Sequence, residues 1–275
     1  MKEISSIDEI LKWNDSLTEE KWTYLYRGVS DIKHFLVPKI VRTKLNSKKN
    51  SKVVTEEIAS LRKERMREYL TIRLPAYGFE FSDSDRKLRL WKELFIAQHY
   101  GVPTPLLDFS RNPLVGLFFA CISNPQKDGA LHAVCIKPQI VESKEDFKPK
   151  AKDYNIASFD LISSGEDGFS PYDLDRPLFI VPSQFDTRIL TQNSVFCCFP
   201  TQKLTTKLQD QLIPKSSSKK PQSGQMNHMV EWKIPKRKKE RLLIDLNRIG
   251  VNHATIYNDI SGFGEFATWK IQNIE

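Results

Sequence analysis

The stretch from Gly101 to Ile122 constrains the fold more than any other. Gly101 and Pro103 stop a preceding helix, and Leu106-Leu107-Asp108-Phe109-Ser110 reads as a short strand. Asn112-Pro113 then supplies an N-cap followed by proline at the first helical position of an apolar helix, Leu114 to Ile122. A chain organised around this series mixes strands and helices.

The flanking sequence fits the same class. Ser6-Ile7-Asp8-Glu9 is a capping-box pattern, and Ile7, Ile10, Leu11 and Asn14 share one helical face, predicting a first helix that ends before Thr23. The alternating, aromatic-rich run Trp22-Thr23-Tyr24-Leu25-Tyr26 predicts a strand that delivers Arg27-Gly28 at its end. Thr55 to Leu70 is a charged helical stretch, and a helix from about Ser84 places Leu88, Trp91 and Phe95 at spacings of three and four. Gly129 to Ile136, Leu178 to Val181 and Ser194 to Phe199 read as strands, the first two separated by a long surface excursion. Lys236 to Ile249 is a basic helix with Leu242, Leu243, Leu246 and Ile249 on one side and Gly250 as its stop. A single domain over 1–275 is expected, with basic loop insertions at 42–52 and 214–225 and no internal repeats.

Composition narrows the function classes. With 40% hydrophobic and 28% charged residues, the 275-residue chain has the profile of a globular protein with a real core. The longest run without Asp, Glu, Lys or Arg, Asn112 to Gln126, is shorter than the roughly 20 apolar residues of a membrane-spanning helix, so no membrane association is expected. The start of the chain lacks an apolar targeting core, and Cys121, Cys135, Cys197 and Cys198 show no CxxC spacing, which together predict a reducing cytoplasm and buried, inert thiols. His99, His132, His228 and His253 have no ligand spacing on one element, and no metal is expected. The 42 Lys and Arg against 34 Asp and Glu leave a net charge of +8, concentrated in Arg42–Lys52, Lys215–Lys220 and Lys233–Arg241. Those stretches suit a phosphate backbone or an acidic protein partner, and equally a set of solvated Lys-rich faces. No RNA-binding sheet motif is recognisable.

Three separated pieces carry a resemblance. Tyr26-Arg27-Gly28 is an aromatic-Arg-Gly triplet. Gln98-His99-Tyr100-Gly101-Val102-Pro103-Thr104-Pro105-Leu106-Leu107-Asp108-Phe109-Ser110-Arg111-Asn112-Pro113 is followed by Leu117-Phe118-Phe119-Ala120. Arg188, Gln192 and Phe196 form the third, with a weaker tail through Ile234-Pro235, Gly250-Val251 and Ile260-Ser261-Gly262. Together they resemble the signature of the FRG domain family. The chain departs from it at Pro105, where members usually carry Arg, and at Ser194, where they carry Gly.

The order of these pieces is also distantly similar to the three-part NAD site of the ADP-ribosyltransferases, with Arg27, Ser110 and Gln192 in the three places. That resemblance implies an α+β domain with a split, mixed or antiparallel sheet flanked by helices, NAD as co-substrate, and transfer of ADP-ribose to a macromolecule such as RNA or DNA. It further implies a toxin or anti-phage effector, with an antitoxin or other inhibitor protein as a possible partner. Cleaving the nicotinamide bond develops oxocarbenium character on the ribose, so the site has to hold pyrophosphate and ribose firmly and keep water out. Arg27 suits phosphate, Gly28 a close backbone approach, Ser110 a ribose hydroxyl and Gln192 another. Gln192 is neutral and cannot act as a base, so His99 and Asp108 are the candidate catalytic groups beside it. Tyr26, Tyr100, Thr104, Phe109 and Asn112 complete the candidate cofactor-binding set.

Each residue has a plainer reading. Arg27 and Asp108 could form a buried ion pair, His99 could cap a helix end, and Ser110 could bond only local backbone. Gln192 could be a satisfied core amide, and Tyr100 and Phe109 core aromatics. Two other functions stay open at this point: an NAD glycohydrolase or nuclease using His99 and Asp108, and a non-catalytic module that binds nucleotides or nucleic acid.

Overall fold

A computed structural model describes residues 1–15, 23–43, 53–79, 86–136, 140–141, 156–157, 170–182, 187–212 and 229–272. One mixed sheet runs through the domain in the strand order β1-β9-β4-β2-β3-β8-β7-β6-β5. Its strands are β1 (Lys2–Glu3), β2 (Thr23–Val29), β3 (Leu106–Ser110), β4 (Gly129–Ile136), β5 (Ile140–Val141), β6 (Ile156–Ala157), β7 (Leu178–Ile180), β8 (Ser194–Cys198) and β9 (Met229–Ile234). The centre is antiparallel, while β1 pairs parallel with β9, and β5, β6 and β7 run parallel to one another. This is the expected α+β architecture.

Residue alternation along the strands separates two cores, as the period of two requires. Leu25, Val29, Ala130 and Val134 face one side, where they meet α2 (Glu56–Arg73) and α3 (Arg86–His99) through Met66, Leu70, Trp91 and Phe95. Trp91 and Phe95 are fully buried, and each contributes about 2–3 kcal/mol of apolar burial. Tyr24, Tyr26, Leu131 and Ala133 face the other side, against α1 (Ile7–Asp15), α4 (Pro113–Cys121) and α7 (Lys236–Arg248). Three shorter or terminal helices complete the described elements on the site side and C-terminal end: α5 (Thr187–Thr191), α8 (His253–Tyr257) and α9 (Ile260–Gln272), with α6 (Leu208–Leu212) packed into the first core.

Local signals explain most of these boundaries. Ser6 Oγ accepts from Glu9 N at 3.4 Å at the start of α1, and Asn112 Oδ1 accepts from Leu114 N at 2.9 Å at the start of α4. Gly250, at φ 85°, follows α7 in the left-handed region that glycine tolerates. The strand expected to end before Arg27 instead continues to Val29, because β4 pairs with it residue for residue through Val29↔Ala130. Of the two basic insertions, Arg42 and Thr43 are described, whereas 44–52 and the whole of 214–225 lie outside the described residues. Among the described residues no helix is long and apolar enough to cross a membrane.

The sheet is nearly parted at its middle. β2 and β3 are held by a single pair of facing residues, Tyr26↔Ser110, whereas β2 pairs with β4 along its whole length and β3 with β8 along its whole length. Beyond Tyr26 the two central strands diverge and leave a cleft. The sheet stays continuous through that one pair.

Helix α4 closes on one face of β2 through two glycines. A Cβ on Gly28 would lie 1.9 Å from Gly116 O and 2.4 Å from Ala120 N, both main-chain atoms of α4. A Cβ on Gly116 would in turn lie 2.8 Å from Leu131 Cδ1 and 3.0 Å from Tyr26 Cβ. Helix and strand backbones therefore touch, and Gly28→Ala should force α4 outward and destabilise the domain by about 3 kcal/mol. Urea unfolding checks it: the midpoint should fall with the slope unchanged.

Candidate functional site at the parted strands

The cleft between β2 and β3 opens into a cavity of about 620 Å³. Arg27, Asp108, Ser110, Gln192 and His99 all line it, together with Tyr26, Gly28 and Phe109. Three distant chain segments thus meet in one place. Tyr100, Thr104 and Asn112 are not among its lining residues.

Arg27 spans the gap that the missing ladder leaves. Its Nη1 donates to the main-chain carbonyl of Asp108 at 2.6 Å, while the Asp108 carboxylate stands farther off, at 3.8 Å from the same nitrogen. The expected ion pair is therefore secondary to a charge-assisted bond with backbone. Burial pulls the guanidinium pKa down and Asp108 opposes that shift. Nε of Arg27 is buried without a hydrogen-bond partner.

Asp108 is held by a relay that sequence reasoning did not assign. Gln98 Nε2 donates to both carboxylate oxygens at 3.0 Å. Gln98 Oε1 accepts from the Thr104 hydroxyl, whose oxygen in turn accepts from Leu106 N at 3.2 Å. The amide is thereby fixed in orientation, with its nitrogen toward the acid. Thr104 is fully buried, so its expected contact with a cofactor is replaced by this internal bond. The side chain of Asp108 is 47% exposed and faces the cavity. Gln98 opens the signature segment, eleven residues before Phe109 is reached by the chain's turn, and no spacing rule links an amide on a helix to an acid on the next strand.

The remaining candidates divide between chemistry and structure. Ser110 donates to Gln192 O at 2.7 Å and accepts from Asn112 N at 2.9 Å, so its proton is committed and one lone pair is left. Gln192 follows α5 in the turn before β8, and its Nε2 donates to Ile256 O at 3.2 Å, leaving the amide oxygen for a ligand. The left-handed residue of that turn is Asn193, at φ 47°. His99 ends α3 and packs edge-on to Tyr100 with centroids 4.8 Å apart.

Several residues of the expected cofactor-binding set have structural partners of their own. Gly28 makes room for α4 while its backbone also lines the cavity. The Tyr26 hydroxyl donates to Asn14 at 2.6 Å, its ring lies among Trp13 and its neighbours, and burial raises its pKa. Phe109 is 2% exposed and packs edge-on to Phe179, which makes it core. Asn112 is spent as the N-cap of α4. Tyr100 points into a neighbouring groove.

Arg42 was expected in an exposed loop. It is exposed there, and its Nε and Nη2 donate to Val37 O at 3.1 and 3.0 Å while the residue lines the cavity. Burial, followed by the nearby Arg27, lowers its pKa to about 10. Two guanidiniums thus face one carboxylate, Asp108, among the described lining residues. The rim is braced by Lys239, 2% exposed, whose ammonium donates to Ser30 O at 2.7 Å, Ser123 O at 3.0 Å and Asn124 O at 3.2 Å. All four cysteines are buried free thiols, and burial pushes Cys121 up to about 12, as expected of inert packing.

The fold and cleft define an α+β domain with a cationic, acid-bearing cavity at the break in its sheet. Residues 22–129 match the FRG domain. The match covers β2, α2, α3, β3 and α4 and stops before Gln192. No curated protein and no solved structure matches the chain.

His132 sits opposite Arg27 on β4, 5% exposed, with Nδ1 3.8 Å from Glu231 Oε1. Burial, then Arg27, lowers its pKa from 6.5 to about 4, so the native imidazole is neutral. Below pH 6.5 the unfolded chain takes up a proton that the native state refuses until about pH 4. Stability should be full above that window and fall within it by up to about 3 kcal/mol, trimmed by Glu231, whose raised pKa acts in the opposite sense. Unfolding midpoints across that range should flatten in His132→Phe.

Proposed function

We propose that the cavity binds NAD and that the protein transfers ADP-ribose from it to a macromolecular acceptor. The observation that carries this reading is the convergence of Arg27, Arg42, Asp108, Ser110 and Gln192 on one cavity at the break in the sheet. Its volume, about 620 Å³, falls within the range of small-molecule sites.

The chemistry follows from charge and hydrogen-bond capacity. Two guanidiniums provide forked donors for a pyrophosphate. The free lone pair of Ser110 and the amide oxygen of Gln192 accept from ribose hydroxyls. Asp108, oriented by Gln98, stabilises the positive charge that develops on the ribose and takes the proton of the attacking acceptor group. In the transfer, the glycosidic bond to nicotinamide breaks, nicotinamide leaves with the bonding pair, and the acceptor oxygen or nitrogen forms the new bond to the ribose carbon. Directed at nucleic acid, this reaction would arrest growth, consistent with a toxin or anti-phage effector whose activity a dedicated inhibitor protein restrains.

Incubation with labelled NAD, with and without RNA, DNA and cell extract, tests the proposal. Label on a polymer supports transfer, and free ADP-ribose supports hydrolysis. Intact NAD with degraded RNA supports a nuclease, and intact NAD that still binds supports a non-catalytic module. Asp108→Asn should lower the rate by 10²-fold or more, on the order of a lost charge-stabilising group, with little change in NAD affinity. Arg27→Lys should weaken NAD binding instead, since an ammonium cannot replace the fork.

A further inference from the structure

A second depression, of about 1390 Å³, lies beside the cavity between α2 and α3. Five basic residues line it, Lys39, Arg42, Arg62, Arg65 and Arg73, and no Asp or Glu among the described residues does. Its floor is apolar, formed by Met66, Leu70, Ile96, Ala97 and Val102. On its walls stand Tyr69, Tyr77 and Tyr100, which are 61%, 77% and 67% exposed. Phe79 packs on Tyr100 with ring centroids 5.9 Å apart.

We propose that this groove binds single-stranded nucleic acid and guides it to the cavity, which names the acceptor class for the transfer reaction and rests on that reading. Arg62, Arg65, Met66, Tyr69 and Arg73 recur at helical spacing and form one stripe along α2. At about 1.5 Å per residue the stripe runs roughly 16 Å, enough for a few nucleotides. Guanidiniums bind phosphates in forked pairs, and exposed aromatic faces stack on bases of any sequence. A duplex keeps its bases stacked on one another and offers the tyrosines nothing. An acidic peptide would satisfy the cations and leave three exposed rings without flat partners. The groove also leads somewhere: Arg42 lines both depressions, and the consecutive residues His99 and Tyr100 line the cavity and the groove respectively.

Fluorescence anisotropy with labelled poly-uridylate, its single-stranded DNA counterpart and a duplex, in the absence of NAD, tests the proposal. The single strands should bind more tightly than the duplex. Tyr69→Ala with Tyr77→Ala should weaken that binding by roughly tenfold or more. Arg65→Gln with Arg73→Gln should lower the salt dependence by about 0.7 in log–log slope per contact removed. These side chains lie outside the cavity and the tyrosines are exposed, so circular dichroism and NAD binding should be unchanged in both variants. Equal binding by wild type and variants, preference for duplex, or displacement of the strand by poly-glutamate at equal charge would overturn the groove. The two readings fail separately: strand binding with NAD untouched removes the transferase and keeps the groove, whereas NAD turnover without strand binding does the reverse.

Discussion

One side chain stands where the sheet would otherwise close. Arg27 reaches across from β2 to the carbonyl of Asp108 on β3, at the point where the strands separate after a single facing pair. An antiparallel ladder continued past that pair would fill the cleft with hydrogen bonds and leave no cavity. The guanidinium satisfies one of the carbonyls that divergence exposes and brings a buried positive charge with it. Burial and then that charge lower the pKa of Arg42 and keep His132 neutral, and Asp108 is the carboxylate that lines the cavity with Arg27 and Arg42.

Everything around the cleft serves to keep it open and stiff. The glycine contact between β2 and α4 fixes one wall. Lys239 gathers three carbonyls from the ends of β2 and α4, and all three of its donors are used. On the opposite wall, Thr191 and Gln192 both donate to Ile256 O, which ties the turn before β8 to α8. A site assembled from strand ends and helix ends in this way is preorganised, so binding a charged ligand costs little rearrangement.

Residue pattern made the elements legible because capping, apolar spacing and turn residues act over short distances. The N-cap at Asn112, the period of α7 and the strand from Gly129 to Ile136 appear in the structure where their local signals put them. The candidate site was legible in part. Arg27, His99, Asp108, Ser110 and Gln192 share a cavity that Tyr26, Gly28 and Phe109 also line, whereas Thr104 and Asn112 lie off it, committed to an internal hydrogen bond and a helix cap. A motif records which residues recur together and is silent on which of them faces a void. Gln98 and Arg42 escaped notice for the same reason, since an amide on a helix and an arginine beside a basic loop look ordinary until their neighbours are known.

By itself the amino-acid sequence determined the longer helices as far as Arg248, most of the central strands and the set of polar residues near the middle of the sheet, because each of these follows from period, capping and side-chain chemistry. Tertiary structure alone decided that β2 and β3 part, that the Arg27 guanidinium bonds a main-chain carbonyl in preference to a carboxylate, and that a cationic groove adjoins the cavity. Strand divergence depends on how α2, α3 and α4 press on the two faces at once, and no short stretch of sequence contains that balance of forces.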